Sequence, residues 1–222
     1  MNKNTSKIHL EILDNLRQEL LQKLLPLVPE FVLGGGTALS LQIKHRISLD
    51  FDFFSLKPIP KQLLEKLSKS IEIENIAIDT PDELTFFTKQ EIKVTFLNYP
   101  FRFDLNNVLE TDGLRLFNIY DIAVQKAYTI GRRGEYRDYF DLYIILKDHH
   151  TRFDKLVVGA KKVYGSVFDE KMFLIESFIQ SHNAEENIDI HISTTYGNKS
   201  SEYLQIFFSI VNLLHIILSN SF

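Results

Sequence analysis

Residues 31–54 have the sequence FVLGGGTALSLQIKHRISLDFDFF, and this stretch decides the fold of the chain. Near its end, Leu49, Phe51 and Phe53 are apolar at every second position. Such alternation predicts a half-buried strand whose apolar side chains fill the core. The acidic residues between them are then expected to share the opposite face of the same strand.

Asp50 and Asp52 are those acidic residues, and their Cα atoms would lie about 7 Å apart on a strand. Carboxylates at that spacing are able to converge on one or two hard cations. Mg²⁺ prefers carboxylate oxygens together with substrate phosphates, and two such ions stabilise the attacking and leaving oxygens of an in-line displacement. The pair therefore indicates phosphoryl or nucleotidyl transfer, although two solvated acids on an edge strand would have the same pattern.

The glycines upstream predict a phosphate site. Glu30–Leu33 is expected to form a short strand and Thr37–Ile43 a helix that begins with a capping residue, with the glycine turn between them. Bare backbone at Gly35 and Gly36 allows close approach of an anion, which the N–H groups and dipole of a helix N-terminus favour. We therefore expect Gly35, Gly36 and Thr37 to bind phosphate.

Simpler interpretations of these residues remain open. Three glycines are also what an ordinary tight turn uses. Leu39 stands where a Rossmann fingerprint needs its third glycine, and no Gly-Lys-Ser/Thr follows as in a P-loop. Arg46 is suited either to bind phosphate or to pair with an acid, and Ser48 either to contact phosphate or to end the loop. The combination of these features in one strand-turn-helix-strand unit favours a nucleotide site.

The motifs in this unit resemble those of a known family. They run Gly35-Gly36-Thr37-Ala38-Leu39, then His45-Arg46-x-Ser48-x-Asp50-x-Asp52-Phe53-Phe54. A second block contains Asp121-Ile122-Ala123-x-x-Lys126-Ala127, Arg133-Gly134 and Arg137-Asp138-Tyr139-x-Asp141-Leu142-Tyr143. Both are similar to motifs of the AbiEii/AbiGii-type nucleotidyltransferase toxins, a branch of the polymerase-β-like nucleotidyltransferases. The resemblance spans residues 25–148.

The resemblance implies a fold and a function. The expected fold class is α+β, a polymerase-β-like nucleotidyltransferase mixed sheet with flanking helices and a helical C-terminal half. The expected reaction moves a nucleoside monophosphate from an NTP to RNA or protein with Mg²⁺ or Mn²⁺, and a cognate antitoxin is an expected partner. Two alternatives are a catalytically impaired nucleotide-binding or interaction protein and a phosphotransferase.

Roles for further residues also come from the resemblance. Lys126 would join Asp50 and Asp52 in the catalytic set by neutralising triphosphate charge; the alternative is that its stem is buried and its ammonium lies in water. Asp141 is expected near the nucleotide. The alternative for Asp138 and Asp141 is to cap and solvate their helix, or to hold Arg133 or Arg46.

The chain departs from the pattern of the superfamily at one position. Polymerase-β-like enzymes usually have a third carboxylate on a later strand, and the best candidate strand, Ile92–Leu97, has Thr95 there. Asp104 is the alternative third carboxylate if it belongs to the next strand. If neither residue serves, two acids alone would hold the metal, and catalysis would be slow, absent or completed by another group.

The composition favours a cytoplasmic protein with one substantial core. The chain has 222 residues, 45% of them hydrophobic, no cysteine and a net charge of −4. The absence of cysteine excludes disulfides and thiolate zinc sites. The negative charge disfavours a large nucleic-acid footprint, although Lys126, Arg132, Arg133 and Arg137 form a local basic cluster.

Periodicity divides the chain into two parts. Residues 1–115 are predicted to form the α+β core with an N-terminal helix over Ile8–Leu25, and residues 116–222 a helical region that completes the site. The predicted segments are a helix at 61–70, strands at 71–78, 84–88 and 92–97, helices at 118–131, 136–147, 152–164, 168–181 and 203–219, and a strand at 188–193. The apolar stretch Tyr203–Leu218 is short for a membrane span and is expected to pack in the core or to form a dimer contact.

Overall fold

The structure is a computed structural model that describes residues 7–101, 103, 107–130, 132 and 135–173. The chain divides into two compact units, and the division lies between Gln125 and Lys126. The described part of the first unit is built around a β-sheet. The described part of the second unit is helical.

The first unit contains seven strands and three α-helices that lie wholly within its described residues. Its strands are β1 Val32–Gly34, β2 Phe51–Ser55, β3 Ile73–Asp79, β4 Glu83–Thr88, β5 Lys93–Asn98, β6 Leu109–Thr111 and β7 Leu114–Leu116, and its helices are α1 Asn15–Leu24, α2 Gly35–Ile43 and α3 Leu63–Ser68. Helix α4, Ile119–Ile130, crosses the division, and α5 Tyr136–Lys147 and α6 Phe153–Tyr164 belong to the second unit. The predicted α+β class is confirmed.

The seven strands form one mixed sheet in the order β3-β4-β5-β2-β1-β7-β6. Strand β2 lies in the middle, antiparallel to β1 and parallel to β5. In this register Asp52 lies beside Gly34 on one side and beside Thr95 on the other. The predicted acid is therefore positioned at the centre of the sheet.

The alternation predicted for β2 is confirmed within the strand but does not extend to Leu49. Phe51 and Phe53 are 0% and 1% exposed, and Asp52 between them is half-buried. Leu49 is 51% exposed, so its predicted core position is wrong. It precedes the strand, in a loop that Arg17 holds by donating from Nε to the Leu49 carbonyl at 2.9 Å.

Aromatic rings fill the core beneath β2. The ring of Phe53 stacks on that of Phe96 with centroids 5.1 Å apart, and Phe31 meets Phe96 edge-on at 5.0 Å. Stacked and edge-to-face pairs at these distances are favourable beyond the area that they bury. The three rings pack β2 and β5 against the residue that leads into β1 and so fix the strand that carries Asp52.

Helix α1 is shorter than the predicted Ile8–Leu25 helix. It begins after Asp14, whose side chain accepts a hydrogen bond from the Arg17 backbone N–H at 2.9 Å. That hydrogen bond and the Arg17 side chain lower the pKa of the Asp14 carboxyl. Leu13 before the cap is extended, which interrupts the helical path that the leucine spacing predicts.

Strands β6 and β7 form a β-hairpin that the sequence periodicity did not predict. Asp112 and Gly113 connect β6 to β7, and both have positive φ, 47° and 80°. Positive φ at both central residues is the geometry of a type I′ turn, for which Asp-Gly is a favoured sequence. The division predicted between residues 115 and 116 stays a prediction.

The helices predicted at 118–131, 136–147 and 152–164 are confirmed as α4, α5 and α6. The predicted strand at 188–193 and helix at 203–219 lie outside the described residues, and the predicted 168–181 helix extends beyond them. Within the described ranges, no helix has both the length and the apolar character needed to cross a bilayer.

Candidate active site

The glycine turn brings Asp52 against the start of α2. Gly34 ends β1, and Gly35 begins α2 with a φ of +64°, a conformation that costs little only for glycine. A Cβ on Gly35 would lie 2.6 Å from Asp52 Oδ2. The missing side chain therefore gives the carboxylate its place beside the helix N-terminus, where the helix dipole stabilises a negative charge.

The next two residues of α2 hold the loop that leads into β2. The side chains of Arg46 and Ser48 lie against Gly36, where a Cβ would meet the Arg46 guanidinium and would lie 3.0 Å from Ser48 Oγ. Thr37 Oγ1 donates to the backbone carbonyl of Asp50 and hydrogen-bonds Ser48 Oγ at 2.9 Å. Because Thr37 is only 2% exposed, these bonds fix Asp50 relative to the helix from inside the fold.

The first unit thus brings together the sequence-predicted residues that belong to it. Gly35, Gly36, Thr37, Arg46, Ser48, Asp50 and Asp52 all lie around the N-terminus of α2. Asp50 and Asp52 are half-buried, which leaves part of each residue accessible. The sequence indicated these residue types, but the close approaches between α2 and the 46–52 segment depend on the chain path.

The third carboxylate expected of the superfamily is absent from the position beside Asp52. Thr95 is the β5 partner of Asp52 in the register, and it is 5% exposed. Asp104 lies outside the described residues. Among the residues that the structure describes, no group of three or more acidic, histidine or cysteine side chains could hold a metal ion.

Two carboxylates nevertheless fit Mg²⁺. This ion is commonly bound through one or two protein carboxylates, and substrate phosphates and water complete its coordination. The donors that Asp50 and Asp52 offer are carboxylate oxygens, and hard cations prefer oxygen. The site suits Mg²⁺ or Mn²⁺ brought with a nucleotide better than a metal held by protein alone.

Gly35→Ala tests the turn. The positive φ and the contact with Asp52 together are expected to lower the free energy of unfolding by about 2–4 kcal/mol. Gly113→Ala is the matched control, because Gly113 also has positive φ but an added Cβ there would meet no atom within 4 Å, so only about 1–2 kcal/mol is expected. Chemical denaturation measures the free energy of unfolding of both variants. Equal losses would show that a side chain at position 35 does not clash with Asp52.

Lys126, in the second unit, is buried in an ion-pair cluster. Its Nζ lies 2.6 Å from Asp138 Oδ1 and 2.7 Å from Asp141 Oδ2, and its side chain is 7% exposed. Burial by itself lowers the pKa of Lys126, but the charges of Asp141 and Asp138 and their hydrogen bonds raise it above its ordinary value. Lys126 is therefore protonated at neutral pH, and the alternative of an ammonium in water is wrong.

The two aspartates of the cluster are equally buried. The side chains of Asp138 and Asp141 are 1% and 0% exposed, so the alternative that they cap and solvate α5 is wrong. Both contact Lys126, which lies on a different helix and was not anticipated as their partner. The contact of Lys126 with triphosphate oxygens, and the position of Asp141 near the nucleotide, stay predictions.

The basic cluster seen in the sequence is divided among different partners. Arg132 donates to the Val167 carbonyl at 2.9 Å, and its guanidinium carbon lies 4.3 Å from the centre of the Tyr128 ring. Arg137 pairs with Glu135 at 2.6 Å, and Lys126 is buried. Arg133 lies outside the described residues. Among the described residues, Lys126 is therefore not part of an exposed basic patch, and a local patch formed by the arginines stays a prediction.

Solved structures with similar folds include a putative nucleotidyltransferase from H. pylori, at a TM-score of 0.62 and 20% identity, covering 95% of this chain and 99% of that one. JHP933 from Helicobacter pylori has a TM-score of 0.57 and 19% identity, with 92% of each chain covered. At these identities the similarity shows the fold alone.

Sequence comparison extends the similarity to the family level. The uncharacterized protein aq_aa25 of Aquifex aeolicus (strain VF5) is 28% identical over 204 residues, which are 85% of this chain and 96% of that protein. A sequence model described as "Nucleotidyl transferase AbiEii toxin, Type IV TA system" matches residues 19–191. The resemblance inferred from the motifs is confirmed, and the chain belongs to the AbiEii family of nucleotidyl transferase toxins.

Proposed function

We propose that this protein transfers a nucleoside monophosphate from an NTP to a hydroxyl group of RNA or protein, and that it acts as a toxin opposed by a cognate antitoxin. Family membership supports the reaction class and the toxin role. The observation that carries the proposal is the packing of the Asp52 carboxylate against Gly35, with Asp50 tied to Thr37 in the same place. Acids fixed beside a helix N-terminus suit a metal-bound triphosphate.

Asp50 and Asp52 would hold Mg²⁺ at this site. The bound ion would polarise the phosphoryl oxygens and neutralise charge that develops during transfer. The protein would supply the rest by positioning, since phosphoryl-type transfer requires little covalent chemistry from the enzyme. Backbone N–H groups at the start of α2 would bind triphosphate oxygens, which the helix dipole favours.

Arg46 and Thr37 would have different tasks around the nucleotide. The Arg46 guanidinium, which lies against Gly36, would donate to phosphate oxygens in the paired geometry that guanidinium groups favour. The Thr37 hydroxyl would hold Asp50 through the backbone carbonyl, and the predicted contact of Thr37 with phosphate would come from its backbone N–H. Attack by the acceptor hydroxyl at the α-phosphorus would release pyrophosphate.

Two labels distinguish this reaction from its competitors. The protein is incubated with each NTP labelled at the α- or the γ-phosphate, together with Mg²⁺ and total RNA or cell extract. Transfer of the α label alone to a macromolecule supports the proposal, and nuclease or protease treatment then identifies the acceptor class. Transfer of the γ label alone would show a phosphotransferase instead.

A second candidate is a nucleotide-binding protein that has lost turnover. The observation that favours it is Thr95, which occupies the strand position beside Asp52 where a third acid is expected. This candidate predicts saturable, Mg²⁺-dependent NTP binding with neither label transferred. That result would contradict the proposed transfer while leaving the nucleotide site intact.

Thr37→Val tests the link between α2 and Asp50. Removing the hydroxyl leaves the Asp50 carbonyl and Ser48 without this partner, so transfer is expected to fall roughly 10–100-fold through displacement of Asp50. Thr37→Ser keeps the hydroxyl and is expected to retain most activity. Initial rates of α-label transfer measure the activity of both variants. A fully active Thr37→Val variant would show that the Thr37 hydroxyl does not contribute to the site.

A further inference from the structure

A row of polar side chains crosses the sheet from the acid on β2. Thr95 on β5 is the register partner of Asp52 on β2 and also of Thr85 on β4. Register partners on neighbouring strands lie on the same face of a sheet. Thr85 and Thr95 are 3% and 5% exposed, and Thr85 is in turn hydrogen-bonded to Glu83, which is half-buried. The row therefore leads from the site through the interior of the sheet to a carboxylate.

The protons in this row have a defined direction. Thr85 Oγ1 lies 2.6 Å from Glu83 Oε1 and 3.3 Å from Thr95 Oγ1. A carboxylate only accepts and a hydroxyl has one proton, so Thr85 donates to Glu83 and must accept from Thr95. In this arrangement the Thr95 hydroxyl donates to Thr85. Its oxygen retains lone pairs as a hydrogen-bond acceptor next to Asp52.

We propose that this row replaces the missing third carboxylate: Thr95 Oγ1 accepts the hydrogen bond of the attacking hydroxyl and orients it, and Thr85 and Glu83 are positioning residues that keep Thr95 an acceptor. The inference rests on the proposed transfer to a hydroxyl acceptor. A general base must lie within hydrogen-bond reach of the proton that it receives; here a neutral oxygen fills that position and only orients the nucleophile. As the bond from the acceptor oxygen to the α-phosphorus forms and the bond to the pyrophosphate oxygen breaks, the proton of the hydroxyl passes to solvent water.

A purely structural role for Thr85 and Thr95 would require neither the Glu83 carboxylate nor the neighbouring Asp52. Paired threonines on adjacent strands stabilise a sheet by themselves, without a carboxylate at one end and an acid of the site at the other. The Glu83 carboxylate removes the freedom of the Thr85 hydroxyl to rotate toward Thr95. The result is one proton arrangement, which is what an acceptor position beside the metal site requires.

The first test uses kinetics of α-label transfer. Thr95→Val and Thr85→Val are each expected to lower kcat roughly 10–100-fold, with little change in KM for the NTP. Thr95→Val removes the acceptor oxygen, and Thr85→Val removes the group that accepts the Thr95 proton. Neither variant changes the nucleotide contacts. Thr95→Ser and Thr85→Ser are expected to restore kcat. The double valine variant should be no slower than the slower single variant, because the row acts as a unit.

Thr88→Val is the matched control. Thr88 is also on β4 and 2% exposed, and its hydroxyl accepts from the Ile92 backbone N–H, but it takes no part in the row. Its kcat is expected to match that of the unmodified protein. If the valine variants at positions 85 and 95 lose no more kcat than Thr88→Val while the unmodified protein transfers label, the inference is wrong and the proposed function stands.

The second test does not depend on turnover. A carboxylate at the Thr95 position would complete a three-acid site, so Thr95→Asp is expected to bind Mn²⁺ roughly tenfold or more tightly than the unmodified protein. The Mn²⁺-induced rise in unfolding temperature measures this even if the variant is destabilised. Thr95→Asn is the neutral control, and Asp52→Asn added to Thr95→Asp should abolish the gain. Equal Mn²⁺ responses in Thr95→Asp and Thr95→Asn would overturn the inference, whether or not label is transferred.

Discussion

Lys126→Met is expected to lower the free energy of unfolding by about 3–5 kcal/mol, since it removes a buried cation that contacts two buried carboxylates. The side chains of Asp138 and Asp141 are almost fully enclosed, and water cannot replace the ammonium that lies 2.6–2.7 Å from them. Methionine matches the length of the apolar stem, so the loss reports on charge rather than on a cavity. Denaturant unfolding measures the change.

Two further variants separate the charge effect from others. Lys162→Met replaces an exposed lysine of α6 and is expected to change stability by less than about 0.5 kcal/mol. Adding Asp138→Asn and Asp141→Asn to Lys126→Met removes the two carboxylates that lose this cation and is expected to recover much of the loss. A Lys126→Met variant as stable as Lys162→Met would contradict the ion-pair cluster.

The contribution of the Lys126 charge to the free energy of unfolding depends on pH in a defined direction. Because the folded state raises the pKa of Lys126 above its ordinary value, the stabilisation from its charge is fully present below the unfolded pKa of about 10.4. It is lost as pH rises through the folded pKa. The stability difference between the unmodified protein and Lys126→Met is therefore expected to stay constant from pH 7 to about 9.5 and to narrow only in strong alkali. Urea unfolding at a series of pH values measures it, and narrowing near neutrality would contradict the assignment.

Asp52→Asn is expected to lower α-label transfer by about 10³-fold or more, because the carboxylate beside Gly35 would no longer hold Mg²⁺. Asp50→Asn should have a comparable effect, since the two acids would act on one metal site. The double variant should be little worse than either single variant, as expected for groups that act as a unit. Initial rates at saturating NTP and Mg²⁺ measure these losses.

Asp79→Asn is the control for this series, because it makes the same chemical change at an exposed residue of the edge strand β3. It is expected to retain full transfer. Near-native unfolding curves for the Asp50 and Asp52 variants would exclude a folding defect. Transfer by the double variant at the rate of Asp79→Asn would show that these acids do not hold the catalytic metal.

Local patterns were enough to predict the centre of the fold. Phe51 and Phe53 alternate with Asp52 within β2, and the glycines mark the connection between β1 and α2, although α2 begins at Gly35 and not at the predicted Thr37. The prediction for Leu49 was wrong because alternation along the chain does not show where a strand begins. The β6–β7 hairpin was missed although Asp112-Gly113 is a recognised turn signal, since its three-residue strands are too short to show a period.

The sequence predicted which residues form the candidate site but not which of them contact one another. Gly35, Thr37 and Asp52 were identified from the motif, yet the reason for Gly35 is the carboxylate against it, which requires β2 to lie beside β1. Lys126 is a clearer example of a contact that the sequence did not predict. Helical spacing relates a residue to neighbours on its own helix, whereas its partners, Asp138 and Asp141, are on α5.

Pyrophosphate release most directly tests the claim that Asp50 and Asp52 direct transfer of a nucleoside monophosphate. Pyrophosphate and macromolecule-bound α label are measured together from one NTP, with Mg²⁺ present or chelated, for the unmodified protein and the Asp50→Asn, Asp52→Asn double variant. We expect equimolar pyrophosphate and incorporated label, both dependent on Mg²⁺ and both lost in the double variant. Release of inorganic phosphate without incorporated label, or undiminished transfer by the double variant, would contradict this account.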